Sequence, residues 1–240
     1  MLKLCSCLLV LCLCVSSASA VCMSPQPRLV CAEFFREQVV VIARLARIRY
    51  VDPKKDDAMD YYLYTMQTDR VLRGKISATF PIYEENSSGR AGFQWKTGET
   101  YLLFLSYHKE TRGWELDGCG NSGPLATSAK TLGEIENIRT AIGGDISGVV
   151  WFDPGVTIVV QGTSGMYKTR SDKEGSFRVH VPVGLYSVQA VEQGAHFVAD
   201  DLSYELPRRV RIENGSCAQI RFNRVEPGER KYPSERPPGR

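Results

Sequence analysis

Apolar and polar residues alternate with a period of two over most of this chain, the pattern of strands with one face buried. Val39–Ile42 is a short apolar run that leads into the alternation Arg44, Leu45, Arg47, Ile48, Arg49, Tyr50, predicting one long, bent strand. A charged run from Asp52 to Asp57 makes a turn or loop, and Asp60–Thr68 resumes as a strand rich in tyrosine and threonine. Further strands are predicted at Ser77–Ile82 and Thr100–Tyr107. The second of these is apolar on both faces from Tyr101 to Leu105, which makes it central. After Cys119-Gly120 the period changes: Leu125, Ala129, Leu132, Ile135 and Ile138 recur at helical spacing. Asn121 or Ser122 reads as the cap of this helix, Pro124 falls in its first turn and Gly143-Gly144 ends it. From Ile146 the chain returns to strands. The inward candidates are Val156–Val160, Phe177/Val179/Val181, Tyr186/Val188/Ala190, Val210/Ile212 and Ile220/Phe222. Turns are expected at Asp153-Pro154-Gly155, Asp172–Gly175 and Pro182-Val183-Gly184, where glycine or proline allows reversal.

The first 20 residues follow a different rule. Lys3, an apolar run from Leu8 to Val15 and the small residues Ala18-Ser19-Ala20 are the parts of a cleavable secretory signal, with the cut before Val21. The run is too short to span a bilayer and no later segment approaches the roughly 20 apolar residues required, so no membrane span is expected. A lipid-modified cysteine fits poorly, because Cys12 follows Leu11 and Cys22 follows Val21 where a small residue is wanted. The remainder suits two modest domains. From Glu226 onward the chain carries Pro227, Pro233, Pro237 and Pro238 among charges and reads as a disordered tail.

Charge and cysteine count narrow the chemistry. The 30 basic and 27 acidic residues are interspersed, leaving no footprint for nucleic acid. Cys5, Cys7, Cys12 and Cys14 leave with the signal, and an even set remains: Cys22, Cys31, Cys119 and Cys217. In an exported chain that reads as two disulfides. Zinc is the competing reading, but the four form no close pair and His108, His180 and His196 are scattered, so no metal or cofactor is expected. Asp172 and Glu174 read as a turn before they read as calcium ligands. Ser106 and His108 sit two apart on one strand face with no motif around them, and His180 falls on a solvent face, so no enzyme is expected. Asn86 and Asn214 open N-x-S glycosylation acceptors.

Two family resemblances follow from ordered short motifs. Cys22-Met-Ser-Pro25 followed by Cys31, Val39–Ala43, Val71-Leu-Arg-Gly74, Gly98–Phe104 and Cys119-Gly120 before a helix give residues 22–142 their character. This segment resembles the netrin-like inhibitory module of the tissue inhibitors of metalloproteinases. The resemblance implies a five-stranded OB-type barrel with a flanking helix. In that family the first cysteine of a C-x-C pair chelates the protease zinc. Cys22 matches the second cysteine, and the position of the first is Ala20, lost with the signal. The second segment, residues 145–225, carries Ile146–Val150, Pro154–Val160, Thr169–Phe177 and Pro182–Val188. It resembles the carboxypeptidase regulatory-like domains, small prealbumin-type or immunoglobulin-like sandwiches that usually serve as accessories. The first resemblance also implies the disulfides: Cys22 with Cys119, and in part Cys31 with Cys217.

The expected architecture is therefore mainly β: signal 1–20, barrel domain 21–142, sandwich domain 145–225 and tail 226–240. Tyr61, Tyr62, Tyr64, Trp95 and Trp114 supply rings that a barrel core largely absorbs. Alternation still sends at least one of Tyr61 and Tyr62 outward, which leaves Tyr61, Tyr62, Trp95 and Trp114 as candidate binding aromatics. The expected function is that of a non-enzymatic exported protein that binds a protein partner at the cell surface or in the periplasm. The alternatives are a metalloprotease inhibitor and a carbohydrate-binding accessory module.

Overall fold

The computed structural model describes residues 28–52, 60–86, 91, 93–109, 111–151, 153–201 and 209–225. The expected signal segment, Cys22, most of the charged loop after Asp52 and the expected tail lie outside the described residues. The described chain is mainly β, with one closed ring of strands and two further sheets.

The ring holds β1 (Val39–Val51), β2 (Tyr61–Arg73), β3 (Thr79–Glu85), β4 (Thr100–His108) and β5 (Gly113–Glu115) in the order β1-β2-β3-β5-β4, closed by antiparallel β1–β4 pairing. β3 and β5 run parallel, and β6 (Gly123–Pro124) adds to β4. This is the Greek-key order of a small OB-type barrel. Closure needs a strand that bends, and β1 shifts register against β2 after Val40, Ile42 and Leu45. Alternate residues fill the interior: Val39, Val41, Ala43 and Leu45 meet Tyr64, Met66, Phe80, Ile82, Leu103 and Leu105.

β4 is apolar on both faces because both are covered. Leu103 and Leu105 point inward, whereas Leu102 and Phe104 lie outside with Val40 and Ile42, under α1 (Val30–Arg36) and α2 (Ala129–Ile138). Two helical expectations need correction. The helix starts at Ala129, because Gly123-Pro124 pairs with β4 and Leu125–Thr127 forms a 3₁₀ turn first. Asn121 and Ser122 are therefore not its caps; Ser122 Oγ instead accepts the Phe104 N–H at 2.9 Å. The helix also ends earlier, at Ile138, and Gly144 already belongs to the next strand. α1 was not anticipated: seven residues show little period, and packing of Val30 and Phe34 onto the barrel supports the helix. β2 outruns its expected end at Thr68 because it stays paired with β1 as far as Arg73.

The second half is a sandwich. One sheet orders β10 (Ser176–Val181), β7 (Gly144–Val150), β14 (Cys217–Val225) and β12 (His196–Asp201); the other orders β13 (Val210–Ile212), β11 (Gly184–Val191), β8 (Thr157–Gly162) and β9 (Gly165–Arg170). Ile146, Val150, Phe177, Val181, Ile220 and Phe222 from the first face Val156, Ile158, Val160, Tyr186 and Ile212 from the second. Tyr186 is fully buried, and its hydroxyl donates to Pro182 O at 2.8 Å, which satisfies the one polar atom it brings into the core. The two units meet at a defined seam. Cys31 of α1 is bonded to Cys217 at the start of β14, with Cα atoms 5.4 Å apart. Leu29 N–H donates to Gln219 Oε1 at 2.8 Å, and Gly143 N–H to Asn214 Oδ1 at 2.9 Å. Among the described residues no helix is long and apolar enough to cross a membrane.

Candidate binding surface on the barrel hairpin

Past the barrel wall, β1 and β2 continue together as a hairpin. The β1–β4 pairing ends at Arg44, yet β1 stays opposite β2 as far as Val51–Tyr61. The ladder register assigns its two faces. Ile48 lies opposite Tyr64 and Tyr50 opposite Tyr62, so these four continue the inward face of the barrel beyond its mouth. Arg47 opposite Thr65, Arg49 opposite Leu63 and Val51 opposite Tyr61 make the outward face, which β3 extends with Pro81, Tyr83 and Glu85.

Rings run along the inward face without a break. Tyr50 and Tyr62 have centroids 5.3 Å apart, Tyr62 and Tyr64 6.1 Å, and Tyr64 and Trp95 4.4 Å; Trp95 then packs on Tyr101 at 4.8 Å. Exposure falls along this stripe from 52% at Tyr50 to 4% at Tyr64. The inner rings hold the outer ones in place, so an incoming ligand would meet preordered aromatic surface. The Tyr50 hydroxyl donates to Asp60 Oδ2 at 2.6 Å, and that bond pushes its pKa up to about 12. Asn86 Nδ2 donates to the same oxygen at 2.6 Å, which ties the β3 end to the loop end of the hairpin. On the outward face Tyr61 and Tyr83 lie 4.6 Å apart. Burial, then the neighbouring Glu85, raises the Tyr83 pKa. Arg47 and Arg49 are exposed and have no carboxylate partner among the described residues.

The four aromatic candidates separate. Tyr61 and Tyr62 fall on opposite faces of the hairpin, as alternation requires, and both are half-buried. Trp95 is a packing residue of the barrel, with its Nε1 buried. Trp114 lies off the hairpin, on β5 beside Tyr107 of β4, with ring centroids 5.4 Å apart. Sequence reasoning passed over Tyr50, Tyr83, Arg47 and Arg49 as site residues. The alternation Arg47-Ile48-Arg49-Tyr50 was visible in the sequence, but not that the strand carrying it leaves the barrel.

Of the cysteines, Cys31 and Cys217 form the seam disulfide; Cys119 is disulfide-bonded, and its expected partner Cys22 lies outside the described residues. Cys31 also lines a cleft of about 230 Å3 together with Ile138, Gly144, Asp145 and His180. His180 places Nδ1 3.0 Å from Asp145 Oδ1 and Nε2 3.0 Å from Ile142 O, so it braces the linker between the units. Ser106 Oγ donates to Glu37 Oε2, while His108 Nδ1 lies 3.8 Å from Glu115; serine and histidine are drawn to different carboxylates. Asp172 Oδ1 accepts N–H bonds from Glu174 and Ser176 at 3.0 and 2.8 Å, the geometry of a turn. No group of three or more metal-ligating side chains occurs among the described residues. No protein-family model matches the chain, and no curated protein matches it.

Proposed function

We propose that this is an exported, non-enzymatic binding protein. Its barrel hairpin docks a protein partner, and its sandwich is a rigidly attached accessory. The observation that carries the reading is the aromatic stripe from Trp95 through Tyr64 and Tyr62 to the half-exposed Tyr50, a preordered anchor of the residue type that dominates binding hot spots. The ring order β1-β2-β3-β5-β4 supports the resemblance of residues 22–142 to a netrin-like module, and the two facing sheets support the regulatory-like sandwich for 145–225. A disulfide between the units fits an oxidising compartment and a mature protein outside the cytoplasm.

The test is photocrosslinking in the exporting cells. A photoreactive residue in place of Tyr50 should give a discrete protein adduct, and the same residue at Met166, exposed on the sandwich, should not. Quenching of tryptophan fluorescence by sugars, with no protein adduct at position 50, would replace this reading with carbohydrate binding.

A further inference from the structure

Strand β1 is paired on both edges only as far as Arg44; Leu45 still exchanges backbone bonds with Glu99 and Gly98, at 2.9 and 2.7 Å. From Arg47 to Val51 it pairs with β2 alone, Ala46 being the extra residue of a bulge, and among the described residues nothing is hydrogen-bonded along the other edge from Ala46 onward. Ala46 to Tyr50 are all exposed, including Ile48 at 36% and Tyr50 at 52%. An edge strand of this kind is a template for another strand. The side chains decide which. Ile48 and Tyr50 present apolar surface on the inward side, and Arg47 and Arg49 present charge on the outward side.

We infer that the β1 edge from Ala46 to Val51 is a strand-addition site for an extended segment of a partner protein that alternates acidic and apolar side chains. Backbone bonds to the edge supply affinity and alternate side chains supply specificity. Acidic residues of the added strand lie across from Arg47 and Arg49, and its apolar residues fall beside Ile48 and Tyr50. A second copy of this chain does not fit. Antiparallel self-pairing centred on Ile48 sets Arg47 of one copy directly opposite Arg49 of the other, and like charges opposed across a ladder are destabilising. The arginines thus keep copies apart and admit an acidic strand. The inference rests on the hairpin as the docking element and goes further in naming the partner's backbone form and charge.

The probe is a blocked peptide of alternating glutamate and valine as long as the edge, titrated into the full mature protein and read by amide NMR and hydrogen exchange. The expected result is slowed exchange confined to Ala46–Val51 amides and binding lost when alternate peptide nitrogens are methylated, which removes the ladder but keeps the side chains. The double variant Arg47→Glu/Arg49→Glu, both sites exposed, should weaken the acidic peptide about tenfold or more and bind a lysine-valine peptide in its place. Protection appearing on β9 or β12, binding that survives methylation, or no binding at millimolar peptide would overturn the inference. If the peptide fails while the Tyr50 adduct still forms, only the strand-addition mode falls; if the adduct is absent, the hairpin reading falls with it.

Discussion

Glu33 shows how one buried residue sets its own pH dependence. It is 1% exposed, its Oε2 accepts both the N–H and the side-chain amide of Asn121 at 2.7 and 2.6 Å, and its Oε1 has no hydrogen-bond partner among the described residues. Burial outweighs the Asn121 bonds and raises its pKa above the ordinary 4.5. The folded state then holds the proton more tightly than the unfolded one, so this residue's contribution to stability declines as pH rises from about 4.5 through the folded pKa. Glu33→Gln keeps an oxygen for Asn121 and removes the charge. The variant should be more stable than the parent at pH 7, by about 1 kcal/mol, and the gap should close towards pH 4, as thermal melts across that range would show. Asp145 behaves in the opposite way. Burial pushes its pKa up, but bonds from Arg178 and His180 together hold it below the ordinary 3.8. Its contribution is present above about 3.8 and is lost as pH falls through the folded value.

Among the elements, β4 is buried on both faces and the seam turn lies directly against the end of α2. Phe104 is fully buried beneath the helices, outside the barrel ring. Phe104→Ala should cost about 3–5 kcal/mol, and hydrogen exchange should rise first in α1 and α2, which lose their platform. If the barrel strands opened equally, the helical layer and the barrel interior would be one cooperative unit. Gly215, at φ +75°, ends the turn between β13 and β14, and a Cβ there would lie 2.1 Å from Ile138 O at the end of α2. A bare backbone at this position is what lets the sandwich approach the helix.

For the whole molecule, the Cys31–Cys217 bond decides whether the two units behave as one body. It closes a sequence separation of 186 residues, and the chain-entropy model assigns such a loop about 5 kcal/mol. Cys217→Ser should leave one titratable thiol at Cys31, lower the melting temperature and broaden the small-angle scattering distance distribution. Without it the seam keeps the hydrogen bonds from Leu29 to Gln219, from Gly143 to Asn214 and from Gly215 to Gly143 O. An unchanged scattering profile would show that packing around Gly215 and Ile138 suffices.

Alternation by itself determined the β class, the central place of β4 and the opposite facing of Tyr61 and Tyr62, because a strand's side chains must point alternately to its two faces. The helical period of Leu132, Ile135 and Ile138 likewise marked α2. Its true ends, and α1 entirely, depended on tertiary contacts: β4 captured Gly123-Pro124 as a strand, and α1 is too short to signal itself. The candidate surface divided in the same way. Tyr61 and Tyr62 were legible as candidates in composition and alternation, whereas the packing of Trp95 against the barrel core, the exposure of Tyr50 and the free edge after Leu45 were decided by where β4 begins. That starting point is set by ring closure between residues nearly sixty positions apart, a long-range pairing that no local pattern encodes.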